Sequence, residues 1–430
     1  MSSQNNQVKL GDLIVSLKTG LNPRNNFKLN TPGANNWYIT VRELNGTGVD
    51  FLPQTNKVDN DALKCINSRS NLEVDDVLFS GTGTIGKTAI ISLPPHNWNI
   101  KEGVYVLKPD KKLVDPFFLL CQLRYYTDIG VFDRQTGGST VFSIPMKILS
   151  EIKLHLPPTN VQKKISSTIK NIDDKIELNN IINSELETMA KTLYNYWFVQ
   201  FDFPDKNGNP YKSSGGKMVW NEELRRKIPK EWKINNLGEL IEIQRGISYT
   251  SKEIKNSGIP MINLNSFNLN GTYKSEGVKY YSGKYTEKNI TSPGDLLIAA
   301  TDVTRSADII GRAILVPDYY DNNLVFSMDI AKIISKDIPS SFLMLLFNSN
   351  HYHNYIKWYA TGTLVLHLNL DGVKRYKTEI PPRILLNKFH TLYKPIANRI
   401  YITTMENQKL ASLRDWLLPM LMNGQVKVKG

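Results

Sequence analysis

The sequence predicts an α+β protein: two similar domains separated by two long antiparallel helices, related by a pseudo-twofold internal repeat. Three observations predict it. Gln135-Thr136-Gly137-Gly138-Ser139-Thr140-Val141, then Leu156-Pro157-Pro158 and a long apolar-periodic stretch, recur as Tyr359-Ala360-Thr361-Gly362-Thr363-Leu364-Val365, Ile380-Pro381-Pro382 and a second such stretch. A period this long makes the repeated units domains rather than solenoid turns. Shorter correspondences run ahead of it: Leu10-Gly11-Asp12-Leu13 answers to Leu237-Gly238-Glu239-Leu240, Trp37 to Arg42 answers to Pro260 to Asn265, and Gly86-Lys87 answers to Gly311-Arg312. Register drifts by a few residues between these pairs, so loops have changed length while elements persisted. Such a pattern suits one scaffold reading two different ligands. Finally, Pro157-Pro158 and Pro381-Pro382 each open a helical stretch of about 36 residues, roughly 54 Å at 1.5 Å per residue.

The elements follow in order. Residues 8 to 158 read as short β-prone runs cut by Gly, Pro and Asn: Trp37 to Leu44, Asp76 to Ser80, Thr88 to Leu93 and Val104 to Lys108. Pro116, at a first turn before Phe117, Phe118, Leu119 and Leu120, predicts a helix to Tyr126. The boundaries are 1–158 for the first domain, 159–200 for the central helix, 201–232 for a linker, 233–382 for the second domain and 383–430 for the C-terminal helix. Pro and Gly between Phe201 and Gly216 exclude a continuous helix through the linker.

Both helices carry a heptad seam. Ile165, Ile169, Ile172, Ile176, Leu186, Ala190, Leu193 and Trp197 form the first, and Phe389, Tyr393, Ile396, Ile400, Leu410, Arg414, Leu417 and Leu421 the second, with Arg414 its imperfect member. Asn179 and Asn183 interrupt one seam where Thr403 and Asn407 interrupt the other. Antiparallel alignment sets Asn179 against Asn407 and Asn183 against Thr403. Either this is a polar layer that fixes register at a cost in stability, or these residues face solvent where the helices splay.

Composition narrows the function. The chain has 430 residues, enough for two or three cores, and a formal net charge of +13, which favours a polyanionic partner such as nucleic acid. The two cysteines, Cys65 and Cys121, lie apart from each other and from any His cluster, against a disulfide framework or a zinc site. Neither a signal-peptide apolar region nor a run of about 18 apolar residues occurs, so a cytoplasmic location without membrane contact is expected.

At the residue level the chain resembles the specificity (S) subunits of type I restriction-modification enzymes. The likeness rests on Leu10-Gly11-Asp12-Leu13, the helix after Leu156-Pro157-Pro158, and Tyr196-Trp197-Phe198-Val199-Gln200-Phe201-Asp202-Phe203-Pro204. It continues in Tyr211 to Val219, Ile228-Pro229-Lys230-Glu231-Trp232 and the closing Leu413 to Gly424. Thr82-Gly83-Thr84-Ile85-Gly86-Lys87 resembles the family's recognition-domain loop, whereas the second copy departs from it with Ala300-Thr301-Asp302-Val303-Thr304-Arg305. The resemblance implies two target recognition domains, each reading part of a split asymmetric site in double-stranded DNA, with the helix pair as a ruler. It implies partners: two methyltransferase subunits and, in the full complex, two restriction subunits. The chain itself would hold no cofactor; S-adenosylmethionine, ATP and Mg would sit on the partner subunits.

Several motifs admit two readings. Gly81-Thr82-Gly83-Thr84-Ile85-Gly86-Lys87-Thr88 fits the P-loop pattern, which would make the chain a nucleotide-dependent enzyme. That motif needs a helix directly after it, and Ala89 to Leu93 is β-prone and ends in a Pro pair. The same loop suits a DNA phosphate, with Thr84 and Lys87 as contacts, or is a plain hairpin. The turn of Arg134, Gln135, Thr136, Ser139 and Thr140 offers bidentate donors and hydroxyls to base edges, or is a solvated turn. In the second domain the candidates are Thr361 and Thr363, with Arg245, Arg305 and Arg312. Thr40 and Arg42, and in the repeat Asn263 and Asn265, alternate with apolar residues as one polar strand face, either DNA-facing or simply wet. Tyr196, Trp197, Phe198, Phe201 and Trp416 are candidates for methyltransferase docking, since aromatic anchors are enriched at interfaces. No Pro-Pro pair has the flanks of an adenine-gripping methyltransferase motif, Glu151-Ile152-Lys153 lacks a matching repeat, and Asp173-Asp174 reads as a solvated face. His351 and His353 have no obvious third ligand. A non-catalytic DNA-recognition scaffold is therefore expected, with a stand-alone DNA-binding regulator as the other binding role.

Overall fold

The computed structural model describes residues 7–135, 142–269, 271–318, 324–335 and 337–426. The chain divides into two compact units, Met1–Leu178 with Glu406–Gly430, and Asn179–Met405. Both divisions fall inside a long helix, the central helix Thr159–Tyr194 or the C-terminal helix Arg383–Met422.

In the first unit, Gln7–Lys9 pairs antiparallel with Lys153–His155 and ties the domain's entry to its exit. A four-stranded antiparallel sheet runs in the order Ile14–Thr19, Val104–Pro109, Val77–Ser80, Thr88–Ile90. A smaller sheet sets Asn36–Ile39 between antiparallel Lys57–Val58 and parallel Trp98–Ile100. Helix Pro116–Asp128 begins at Asp115, whose carboxylate accepts the Phe118 N–H at 2.9 Å, with Pro116 in the first turn where no N–H partner is needed. Its residues Phe117 to Leu123 are buried in one core with Phe79 and Leu107.

The second unit repeats this pairing. Lys233–Asn236 joins Lys377–Ile380, and a four-stranded sheet runs Ile241–Arg245, Ile330–Ser335, Leu296–Ala299, Ala313–Leu315. Ile259–Ile262 pairs in parallel with Leu324–Phe326, as Asn36–Ile39 does with Trp98–Ile100. The repeat extends to single glycines. A Cβ on Gly11 would stand 3.2 Å from the Ser150 carbonyl oxygen and one on Gly238 would stand 3.2 Å from that of Lys374, so both units set glycine where a one-turn helix packs closely on a short helix, Met146–Glu151 or Leu370–Arg375. Within the stretch expected as a linker, Met218–Asn221 pairs antiparallel with Arg226–Pro229 as a hairpin.

Within each unit the helix segments pack antiparallel. In the first, Ile165, Ile169, Leu418 and Leu421 share one core, and the Asn407 amide donates to the Ile176 carbonyl at 3.4 Å. Arg414, the irregular seam member, sits 3.0 Å from Asp173, which also binds Arg124 at 3.0 Å. This corrects the expectation for Asp173, which is buried between two arginines, while Asp174 does lie exposed. In the second unit the Thr403 hydroxyl donates to the Asn183 side-chain carbonyl, and the Asn183 amide donates to Thr404 Oγ1 at 3.3 Å. Thr403 is fully buried, so the polar interruption is packed and does not splay into solvent.

After Tyr194 the central helix widens into a π turn, Asn195–Val199. Trp197, Phe198 and Phe201 thereby enter the core with Trp232, Phe342 and Phe389; the Phe198 and Phe389 rings are 4.9 Å apart. These three are corrected as docking candidates, because a side chain closed inside its own unit offers no face to a partner. Tyr196, by contrast, is exposed in the second unit, and Trp416 is exposed in the first. No helix among the described residues is long and apolar enough to cross a membrane.

Candidate nucleic-acid interface

The glycine-rich loop of the first unit is a hairpin connection. Val77–Ser80 pairs antiparallel with Thr88–Ile90, so a strand stands where a phosphate-binding loop requires a helix. The nucleotide-site reading is thereby corrected. Ser80 Oγ organises the loop, donating to the Thr84 carbonyl at 2.6 Å and accepting the Lys87 N–H at 2.8 Å. Gly86 (φ 89°) has no room for a side chain, since a Cβ would stand 2.4 Å from Thr127 Oγ1. With the backbone so fixed, Thr84 and Lys87 project exposed.

This loop meets the chain segment that follows the Gln135 turn. The Gly83 N–H donates to the Phe142 carbonyl at 2.9 Å, and Thr82 bridges Ser143. Arg134 and Gln135 are exposed on a single 3-10 turn anchored by buried Phe132, whose carbonyl accepts the Gln135 N–H at 2.9 Å. Thr136, Ser139 and Thr140 lie outside the described residues.

The second unit builds the same junction more fully. Thr301–Asp302 pairs with Leu366–Leu368, which pairs with Ala360–Thr361. The buried Asp302 carboxylate accepts from the Thr304 N–H and hydroxyl, each at 2.7 Å, and from the Ile309 and Ile310 N–H groups at 2.7 and 3.0 Å. Arg305 projects exposed from the loop thus held, and Thr361 and Thr363 are exposed on the neighbouring turn. The loop that carries Arg305 and the turn that carries Thr361 and Thr363 therefore both adjoin one small sheet. Arg245 is exposed at the end of Ile241–Arg245.

Four of the remaining candidates are committed to the fold, and a fifth does not stand where the alternation put it. The strand expected over Trp37 to Leu44 ends at Ile39, and Thr40 caps a one-turn helix, Val41–Glu43. Thr40 donates to the fully buried Glu43 carboxylate at 2.6 Å, and Arg42 binds its other oxygen at 2.7 Å and the Gln54 carbonyl at 3.2 Å. Burial alone would raise the Glu43 pKa, but the bonds from Thr40, Arg42 and Thr55 outweigh it and hold the carboxyl below its ordinary value. Asn263 repeats the cap in the second unit: buried, it accepts the Asn265 N–H at 2.9 Å and donates to the Gly277 carbonyl at 2.6 Å. The alternating face is thus a turn in both units, with Asn265 exposed upon it. Arg312 donates to the carbonyls of Asp308 and Asn348, each at 3.0 Å, which fixes its guanidinium inside the unit.

Sequence reasoning missed the apolar residues beside these loops. Trp358 is 88% exposed, Leu364 86% and Val303 64%. Composition alone does not distinguish such side chains from core; only the turn they stand on does.

Comparison with known proteins completes the assignment. A family described as the type I restriction modification DNA specificity domain matches residues 3–188 and 229–384. The type I restriction enzyme MjaIX specificity subunit of Methanocaldococcus jannaschii is 28% identical over 82% of this chain and 78% of its own length. The HindI specificity subunit of Haemophilus influenzae is 22% identical over 84% and 88%. The fold is shared with the crystal structure of the S subunit of a type I restriction-modification system from M. genitalium, with a TM-score of 0.57 at 15% identity over 98% of each chain. The chain therefore belongs to the type I restriction-modification DNA specificity family, as a subunit for DNA sequence recognition.

Proposed function

We propose that the chain reads a bipartite, asymmetric double-stranded DNA site, one part with each repeat, and directs adenine methylation and cleavage carried out by partner subunits. The observation that carries this reading is the doubled junction: the same strand pairing in each unit, presenting Thr84 and Lys87 in one and Arg305, Thr361 and Thr363 in the other. One scaffold with two sets of exposed side chains is what an asymmetric site requires. Exposed Lys and Arg neutralise phosphates and supply salt-dependent affinity, while hydroxyls, Gln and Arg present donors and acceptors to base edges. The chain acts without catalysis of its own, alongside two methyltransferase subunits that hold S-adenosylmethionine and two restriction subunits that use ATP and Mg. Tyr196 and Trp416 remain candidates for methyltransferase contact because both stay exposed.

Methylome sequencing of a host carrying the chain with its methyltransferase subunit tests the reading. A single split motif with methylated adenine in both parts is the expected result. Modification of a continuous palindrome would overturn it, and a chain that binds DNA yet captures no methyltransferase on co-purification would be a stand-alone regulator.

A further inference from the structure

The two junctions share a backbone plan and differ in chemistry at the tip. In the second unit Thr301 faces His367 and Asp302 faces Leu366, the last pair, so Val303 and Val365 each lie one residue beyond the same end of the ladder. Val303 is 64%, Leu364 86% and Val365 39% exposed, three aliphatic residues on segments that adjoin the same small sheet. The tip has a fixed shape. Gly362 (φ 131°) turns so tightly that a Cβ would stand 2.1 Å from the Val365 carbonyl oxygen, and the Asp302 carboxylate ties down the adjoining loop through its bonds to Thr304, Ile309 and Ile310. In the first unit the matching bridge is Thr82 with Ser143, which puts Thr84 in the place of Val303. The sequence repeat likewise sets Thr140 in the place of Leu364. Thr84 thus places a hydroxyl in one copy where Val303 places an aliphatic group in the other, while Val365 aligns in sequence with another valine, Val141.

We propose that Val303, Leu364 and Val365 form a specificity-determining tip that recognises the 5-methyl group of thymine in the major groove of the part of the site read by the second unit. The inference rests on the DNA-reading role proposed above. A duplex is favoured as the occupant because Arg305, Thr361 and Thr363 lie exposed around the tip, in a chain of net charge +13. Among base edges in the major groove, only thymine offers an apolar group, and a groove ~12 Å wide admits a two-stranded ribbon. An aliphatic cluster that stays wet in the free protein gains most from that one methyl.

The test uses the full chain in complex with its methyltransferase subunits. A random duplex pool is first enriched to define the bound motif. Each thymine in one bound duplex is then replaced singly by deoxyuridine, which deletes the methyl and keeps the base pair. Removing one buried carbon should weaken binding about fourfold at a thymine confined to one part of the motif. Leu364→Ala should bind more weakly and show no further loss at that position, whereas Lys87→Ala should keep the full deoxyuridine penalty. Leu364 is exposed, so an unchanged melting temperature separates loss of reading from loss of fold. An enriched motif indifferent to every deoxyuridine overturns this inference alone. So does a Leu364→Ser chain that loses its methyltransferase subunits with its motif unchanged, since the tip would then be a protein contact. If the wild-type complex enriches no motif, the DNA-reading role falls as well.

Discussion

The Glu43 carboxylate, fully buried, accepts from Thr40, Arg42 and Thr55 at once and holds the first unit's sharp exit from Asn36–Ile39. Its pKa is lower in the fold than in the unfolded chain, so its contribution to stability is complete above the ordinary carboxylate range and fades as pH falls through the lowered value. His353 acts earlier on the same descent. Burial lowers its pKa from 6.5 to about 4, so the unfolded chain binds more protons between those values and stability falls as pH drops across them. Urea midpoints measured against pH should therefore decline in two stages, with His353→Phe flattening the first and Glu43→Gln the second; identical profiles for both variants and the parent would refute the assignment. Asn263→Ala should cost roughly 1–3 kcal/mol in chemical denaturation, because the buried Gly277 carbonyl loses its partner. Sequence placed Thr40, Arg42, Asn263 and Asn265 correctly as equivalent positions in a repeat, but took alternation for a strand. Asn and Thr alternate with apolar residues equally well when they cap a turn, and only tertiary partners such as Glu43 and Gly277 distinguish the two.

Long helices were the most legible elements because their signal accumulates over many turns. The heptad seams, the Pro-Pro starts and the facing of Asn183 with Thr403 all follow from period and alignment. Short elements were harder to read. Helix Asn60–Ser70 buries only Ala62, Leu63, Ile66 and Ser70 and rests on its Asp59 cap, a local bond at 2.8 Å that composition does not announce. Asp173 marks the limit within the helices themselves: its side chain is 7% exposed against 58% for Asp174, a difference set by Arg124 arriving from a distant helix. Burial alone would lower the Arg414 pKa, yet its bonds to Asp415 and Asp173 raise it, so the pair favours the ionised state. Asp173→Asn leaves two partly buried guanidinium groups short of a counter-charge and should destabilise by about 3 kcal/mol. Asp174→Asn should change stability by less than about 0.5 kcal/mol. Equal losses from the two neighbours in a urea titration would show that the Arg–Asp–Arg bridge contributes nothing particular.

Across the whole chain, the proposed reading makes affinity and spacing separable properties with separate tests. Net charge should set the first: replacing exposed Lys87 or Arg305 by Ala should weaken binding to all duplexes and reduce the slope of log affinity against log salt by about 0.9 for each phosphate left without its cation, with the motif unchanged. Helix length should set the second. The central and C-terminal helices, 36 and 40 residues long, are continuous through the points where the units divide. A heptad inserted between Asn183 and Ser184, matched by one between Ile402 and Thr403, preserves the apolar seam and keeps Asn183 opposite Thr403. It adds about 10.5 Å of helix at 1.5 Å per residue. One base-pair step is about 3.4 Å, so the unread spacer should grow by about three base pairs while the bases read on either side stay the same. Insertion in one helix alone shifts every apolar residue beyond it out of register, and that variant should lose the melting transition of the parent. Methylome sequencing of the doubly extended chain decides the matter. An unaltered spacer would mean that helix length does not measure the DNA, and an altered base preference would mean that the helices also shape the reading loops.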